Sequence, residues 1–185
     1  MPDDGTLVAR VLDGDDGSFA LLFRRHATAV HTFAQRRTRS VDLADDITAA
    51  AFEKAWRALD KLGAQHGERF RPWLFRIAAN EMATLMRSRS RRRQREHLAA
   101  MRGEGAVDRD RADGLAAIDA SSDVETILDA LGELPPRYQE VISLRYLSDL
   151  TAAETATAMG ISRGNVAVLL HRAIAALRTR MEDRS

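Results

Sequence analysis

The chain has no cysteine, only four prolines, and just two lysines among its 28 basic residues. The missing cysteine excludes disulfides, thiolate metal sites and cysteine nucleophiles, and it fits a reducing compartment. No apolar run approaches the roughly 20 residues that a membrane span requires, and no apolar stretch follows a basic start. A soluble, cytoplasmic protein is the expectation. The five histidines (His26, His31, His66, His97 and His171) are scattered singly. The carboxylates Asp42, Asp45, Asp46 and Glu53 have no histidine at ligand spacing, and read as helix N-capping or a partner-facing acidic surface. The chain also lacks a phosphate-cradling glycine loop and a GxSxG elbow. No catalytic residue, metal or cofactor is expected. Few prolines, scarce β-branched runs and abundant alanine, leucine and arginine point to an all-α protein.

The net charge of +1 hides an uneven distribution. Residues 1–86 and 126–185 are each balanced. Residues 87–102 hold seven arginines against one glutamate, and residues 103–125 hold seven acids against two arginines. One basic block is therefore followed by one acidic block. The acidic stretch is rich in glycine, serine and aspartate with little apolar periodicity, and it reads as a flexible linker. It divides the chain into two small helical domains, expected at 1–98 and 124–185 with the linker at 99–123.

In the first domain, Phe19, Leu22, Phe23, either Ala29 or Val30, and Phe33 mark one apolar face of a helix that follows Asp15. A second helix restarts at residues 40–42, with Ile47, Ala51, Phe52, Ala55, Trp56 and Leu59 as its stripe. Residues 62–71 read as a loop, and Pro72 is expected at the first position of the next helix. That helix buries Trp73, Leu74, Ile77, Ala78 and Met82, then runs into the arginine block. In the second domain a helix is expected over 124–131 and another over 137–146, interrupted by Pro135 and Pro136.

The segment TAAETATAMGISRGNVAVLLHRAIAALR (151–178) has the spacing of a helix-turn-helix. Its first helix is expected over 152–159. Gly160 supplies the left-handed exit, Ile161 plugs the angle, and Ser162 caps the second helix. Small Ala156 marks the helix crossing. Val166, Leu169, Leu170, Ala173, Ile174 and Leu177 continue the inner face at helical spacing. The six arginines between Arg87 and Arg95 can each neutralise a phosphate; taken alone, the same run also reads as a solvated helix end. Trp73, Phe70 and Phe75 lie just before it, placed either to stack on an unpaired base or to fill the core. Asn80 stands in a largely apolar helix, able to hydrogen-bond a base edge or a neighbouring helix.

Taken together, GDDGSFALLFRRH (14–26), LADDITAAAFEKAW (43–56), RPWLFRIAANEM (71–82) and the 131–178 segment resemble the extracytoplasmic-function (group 4) sigma factors of the bacterial sigma-70 family. The resemblance implies a protein that binds core RNA polymerase and promoter DNA, is restrained by an anti-sigma factor, and is not an enzyme. It places Asn80 at the capture of a flipped −10 base, with Arg76, Trp73, Arg87 and Arg91 on the same strand, and it lets the 62–71 loop shape that base's pocket. It puts Ser162, Arg163, Gly164, Asn165 and Ala167 on the −35 recognition helix, and Arg172 on a phosphate. Asp45, Asp46 and Ile47 would face the polymerase. The chain departs from the family pattern at Ala49 and Ala50, where glutamine and glutamate are usual, and at Asn165, Ala167, Val168 and Leu169, which leave the recognition helix less basic. The alternatives from other classes are a free-standing dimeric helix-turn-helix regulator and a helical protein whose arginine block binds RNA.

Overall fold

The computed structural model describes residues 1–101 and 122–183. Among these residues all regular structure is helical, as the composition implies. Most of the acidic linker expected from the sequence lies outside the described residues.

The first helix, α1 (Asp4–Leu12), had no counterpart in the sequence reading. Asp3 caps it by accepting from the Thr6 backbone N–H at 2.7 Å. Leu7 and Val8 are fully buried on its inner face. Asp4 then ties α1 to the next helix: Arg25 donates to one carboxylate oxygen at 2.5 Å, and His26 Nε2 lies 2.8 Å from the other. Burial pushes the Asp4 carboxyl upward, but the bonds and charges of His26 and Arg25 outweigh it and hold the group below its usual range.

α2 (Asp16–Thr38), α3 (Val41–Arg57) and the front of α5 (Phe70–Met101) form the first core. Leu22, Val30, Phe33, Ile47, Leu74 and Phe75 are fully buried there, with the Phe33 and Phe75 rings meeting edge to face at 5.5 Å. The single turn α4 (Leu59–Leu62) follows α3, and the loop expected at 62–71 contains a 3₁₀ turn (Ala64–Arg69). That turn lies against α1 so closely that a Cβ on Gly67 would sit 2.7 Å from Gly5 Cα. Only glycine fits there. α5 begins at Phe70 rather than at Pro72. The shift has a simple cause: no backbone N–H in the first turn has an intrahelical acceptor, so proline anywhere in that turn forfeits no bond.

The second half comprises α6 (Ser122–Glu133), α7 (Pro136–Ile142), α8 (Ala152–Met159) and α9 (Arg163–Glu182). Pro136 takes the first position of α7. The helix expected over 137–146 becomes a widened π turn at Ser143–Leu147. Leu131, Leu134, Val141, Ile142, Ala156, Val166 and Ala173 make a second core. The two halves are packed together. Leu144 and Leu150, both fully buried, join the first core with Ala158.

Candidate nucleic-acid interface

The helix-turn-helix forms as its residue types require. At the start of α8 the Glu154 backbone N–H donates to the Thr151 hydroxyl at 3.2 Å, and the Glu154 carboxylate accepts from the Thr151 N–H at 2.8 Å. This reciprocal pair satisfies two free donors of the first turn. Gly160 ends α8 at φ +65° and ψ +36°. The Ser162 hydroxyl accepts from the Asn165 N–H at 3.2 Å and starts α9. Ala156 and Val166 lie in the crossing, 8% and 1% exposed. The outer side of α9 presents Ser162, Arg163, Gly164, Asn165, Ala167 and Val168 to solvent, with His171 and Arg172 one turn further. Free N–H groups and the positive end of the dipole make this terminus suited to a phosphate.

α5 carries the second surface. At 100° per residue, Trp73, Arg76, Asn80, Arg87 and Arg91 fall within an arc of about 60°, and at 1.5 Å per residue they span roughly 27 Å. Arg76, Asn80, Arg87 and Arg91 are exposed and Trp73 is half-buried. Thr84 bonds the Asn80 backbone carbonyl, but the Asn80 side-chain amide has no partner among the described residues. The interhelix bond that would have explained this amide structurally is therefore not formed there. Phe70 and Phe75 are fully buried and serve the core.

Beside Trp73 and Asn80 runs an open groove of about 410 Å³, closed on its other side by Lys54, Arg57, Ala58 and Lys61. None of these four residues is among the site residues expected from the sequence. Their signal was present, since both lysines of the chain stand there at helical spacing with Arg57 between them. Lys54 is bonded across the groove to Glu81 at 2.5 Å. Arg57 is likewise paired, with Glu53 at 2.6 Å, which leaves Lys61 beside the aromatic face and the unpartnered amide as the groove's features suited to a single nucleic-acid strand.

The three acidic-helix residues part company. Asp45 and Asp46 are exposed on α3, Asp45 lying 3.2 Å from His31 Nε2. Ile47 is fully buried in the first core, so its side chain anchors α3 and is not available to a partner. Ala49 and Glu53 occupy the exposed face instead. That face continues into a shallow apolar groove lined by Phe19, Phe23, Phe52 and Trp56, where Phe23 and Trp56 are 43% and 41% exposed. The described residues contain no group of three potential ligands able to hold a metal ion, and no helix long and apolar enough to cross a membrane.

Where the halves meet, Arg71 spans the junction. Its guanidinium donates to Glu154 at 3.1 Å and to the Ser148 carbonyl at 2.6 Å, and it lies 5.9 Å from the centre of the Phe75 ring. Burial pushes the Glu154 carboxyl upward, but the bonds from Thr151 and Arg71 hold it below its usual range. Arg39 pairs with Asp129 across the same junction. Arg37 is half-buried there, its Nε and Nη1 buried and unbonded, and desolvation pulls it down to about 10 despite the nearby Glu140.

Residues 22–92 match the family model of sigma-70 region 2, and residues 125–177 match that of sigma-70 region 4. Along its sequence the chain is 33% identical over 172 residues to RNA polymerase sigma factor CarQ of Myxococcus xanthus, covering 91% of this chain and 92% of CarQ. It is 31% identical over 177 residues to the ECF RNA polymerase sigma factor BldN of Streptomyces coelicolor, covering 96% of this chain but 65% of BldN. Among solved structures it resembles CnrH in complex with the cytosolic domain of CnrY, with a TM-score of 0.73 and 26% identity over 98% of this chain and 99% of that one. The order of the two matched regions, the helix-turn-helix geometry and the near full-length similarity to CarQ agree: the chain belongs to the sigma-70 family of RNA polymerase sigma factors, in its extracytoplasmic-function group.

Proposed function

We propose that this protein binds core RNA polymerase and directs it to promoters by reading the −35 duplex with α9 and holding the melted −10 strand along α5. Asn165 is the polar side chain on α9 placed for a base edge, and a good contact of that kind discriminates by about 1–3 kcal/mol. Ala167 and Val168 beside it suit a thymine methyl group. Ser162, Arg163, Gly164 and Arg172 bind phosphates and set the register of the helix. On α5, a flipped base stacks on Trp73 and bonds the Asn80 amide while Arg76, Arg87 and Arg91 follow the backbone. Unstacking costs a few kcal/mol. Aromatic stacking returns about 1–3 kcal/mol per base, and the arginine–phosphate contacts add to it.

The exposed acids Asp45 and Asp46, with Ala49 and Glu53, form the surface offered to the polymerase. Residues 1–98 and 124–185 act as the two promoter-binding units and 99–123 as their tether. The setting is the cytoplasm, where polymerase works. By analogy with CnrH, whose structure is a complex with the cytosolic domain of CnrY, an anti-sigma protein restrains this chain.

The observation that carries the reading is the single exposed stripe of Trp73, Arg76, Asn80, Arg87 and Arg91 with an unpartnered amide at its centre. Asn80→Ala is expected to abolish promoter melting, read by permanganate reactivity of unpaired thymines, while leaving core binding intact in a native-gel assay. Equal loss of both would refute the base-capture role.

A further inference from the structure

We propose that His26, fastened by Asp4, is a positioning residue for the base-stacking face of Trp73, and that it acts through the buried ring of Phe70. This rests on the strand reading of α5 above. It gives a role to α1 and to a histidine that belong to neither reading surface.

Four side chains make the connection. Both oxygens of the Asp4 carboxylate are engaged, one by the Arg25 guanidinium and the other by His26 Nε2 at 2.8 Å. An ionised carboxylate can only accept, so Nε2 carries the proton and donates. That bond fixes the imidazole, which is 5% exposed. Its ring meets the Phe70 ring at a centroid distance of 5.7 Å and an interplanar angle of 44°. Phe70 is fully buried and in turn meets Trp73, almost one helical turn on, at 6.0 Å and 53°. Both separations lie within the range of favourable aromatic pairs. Phe19 adds a third contact to Phe70, edge-on at 6.5 Å.

The backbone beneath this stack is fixed from the same helix. The Ala64–Arg69 turn leads straight into Phe70, and it is pressed on α1 at the Gly5–Gly67 approach. α1 thus holds the entry of α5 through its backbone and the Phe70 ring through Asp4 and His26. Trp73 stands at the other end, half-buried on the wall of the groove it shares with Asn80 and Lys61. An indole free to turn would lose rotamer freedom when a base stacks on it. A ring already held by Phe70 has less to lose, so more of the stacking energy appears as affinity.

The groove is lined by the first half alone, so the full-length protein can be tested as it stands. The assay compares its affinity for a short oligothymidylate and for an abasic strand of the same length. Both strands carry the same phosphates, so the ratio reads the bases. The parent should favour the thymidine strand at least about fivefold, the lower end of what one stacked base supplies. His26→Gln keeps a side-chain N–H for Asp4 but removes the ring, and should bring the ratio below about twofold. Arg25→Met is the control. It strips Asp4 of its cation and frees the Pro2 carbonyl, yet touches no ring of the stack, so the ratio should stay at the parent value. An unchanged ratio in His26→Gln, or an equal fall in Arg25→Met, overturns the positioning role. If His26→Gln does not fold, Asp4→Asn, which leaves the ring and loosens its fastening, takes its place with the same expectation.

A second measurement decides the stack without nucleic acid. Trp56→Phe leaves Trp73 as the single tryptophan. In that background acrylamide should quench Trp73 emission more strongly with His26→Gln, and no more strongly with Arg25→Met. No rise with His26→Gln, or an equal rise with Arg25→Met, overturns the proposal. If the parent shows no preference for bases, the strand reading fails, and the quenching still decides whether His26 positions Trp73.

Discussion

Gly160 allows a substitution whose cost can be worked out almost entirely from backbone geometry. Its φ of +65° and ψ of +36° lie in the left-handed region, and a Cβ built on it meets nothing within 4 Å. Gly160→Ala therefore creates no clash, and the whole penalty is that of an L-residue held left-handed, about 1–2 kcal/mol. A stability change of that size should lower the melting temperature by roughly 2–8 °C for a chain of this length. Asparagine tolerates the left-handed region through its short polar side chain, so Gly160→Asn should recover much of the loss. The turn also fixes the angle at which α9 leaves α8, so affinity for a −35 duplex should fall with stability in the same order: glycine, asparagine, alanine. Gly67 supplies the contrast. Its φ is ordinary, but a Cβ there would press on the Gly5 backbone at 2.7 Å. Gly67→Asn should be worse than Gly67→Ala, reversing the order found at Gly160. Urea denaturation of the four variants decides the matter. Equal stability for Gly160→Ala and the parent, or the same order at both sites, would refute the backbone argument.

Two further outcomes follow from the geometry. Asp4→Asn keeps the shape but removes the charge that Arg25 and His26 face, at a cost of about 1–3 kcal/mol near neutral pH. Because the Asp4 carboxyl is held below the ordinary carboxylate value of 3.8, its contribution is present above that value and lost as pH falls through the lowered one. The gap between parent and variant in chemical denaturation should therefore close below about pH 3.8; a gap that persists in strong acid would contradict this. Arg87→Ala with Arg91→Ala should weaken single-strand binding uniformly across sequences and flatten the salt dependence by about 1.4 in log–log slope, at roughly 0.7 per phosphate contact. A sequence-dependent loss at constant slope would show that these arginines read bases instead.

Much of this architecture was legible in the chain. Gly160, Ser162, Ala156 and Val166 stand where the helix-turn-helix spacing puts them, because capping and turn geometry are local and set by residue type. What escaped was mostly non-local. α1 is only nine residues long, and its Leu7 and Val8 gain meaning only when the Ala64–Arg69 turn closes over them. Ile47 stood beside two acids and was read with them as partner-facing. Helical geometry separates them: Ile47 shares its buried face with Ala51, four residues on, while Asp45, Asp46 and Ala49 point outward. The 3₁₀ turn replaced a loop because Gly63 at φ +73° and the Gly5–Gly67 approach let the chain tighten. The packing of the two halves depends on Leu144, Leu150 and Arg71, which read from sequence as a helix residue, a turn residue and the end of a loop, none of them marked as a contact between distant segments.

The most direct test of the central claim is run-off transcription with purified core polymerase, with and without this protein, on genomic promoter fragments from the source organism. Transcripts that require the protein and share a −35 and a −10 sequence are the expected result. No transcript from any fragment and no core binding, together with tight binding of a dimer to a palindromic duplex, would contradict the account.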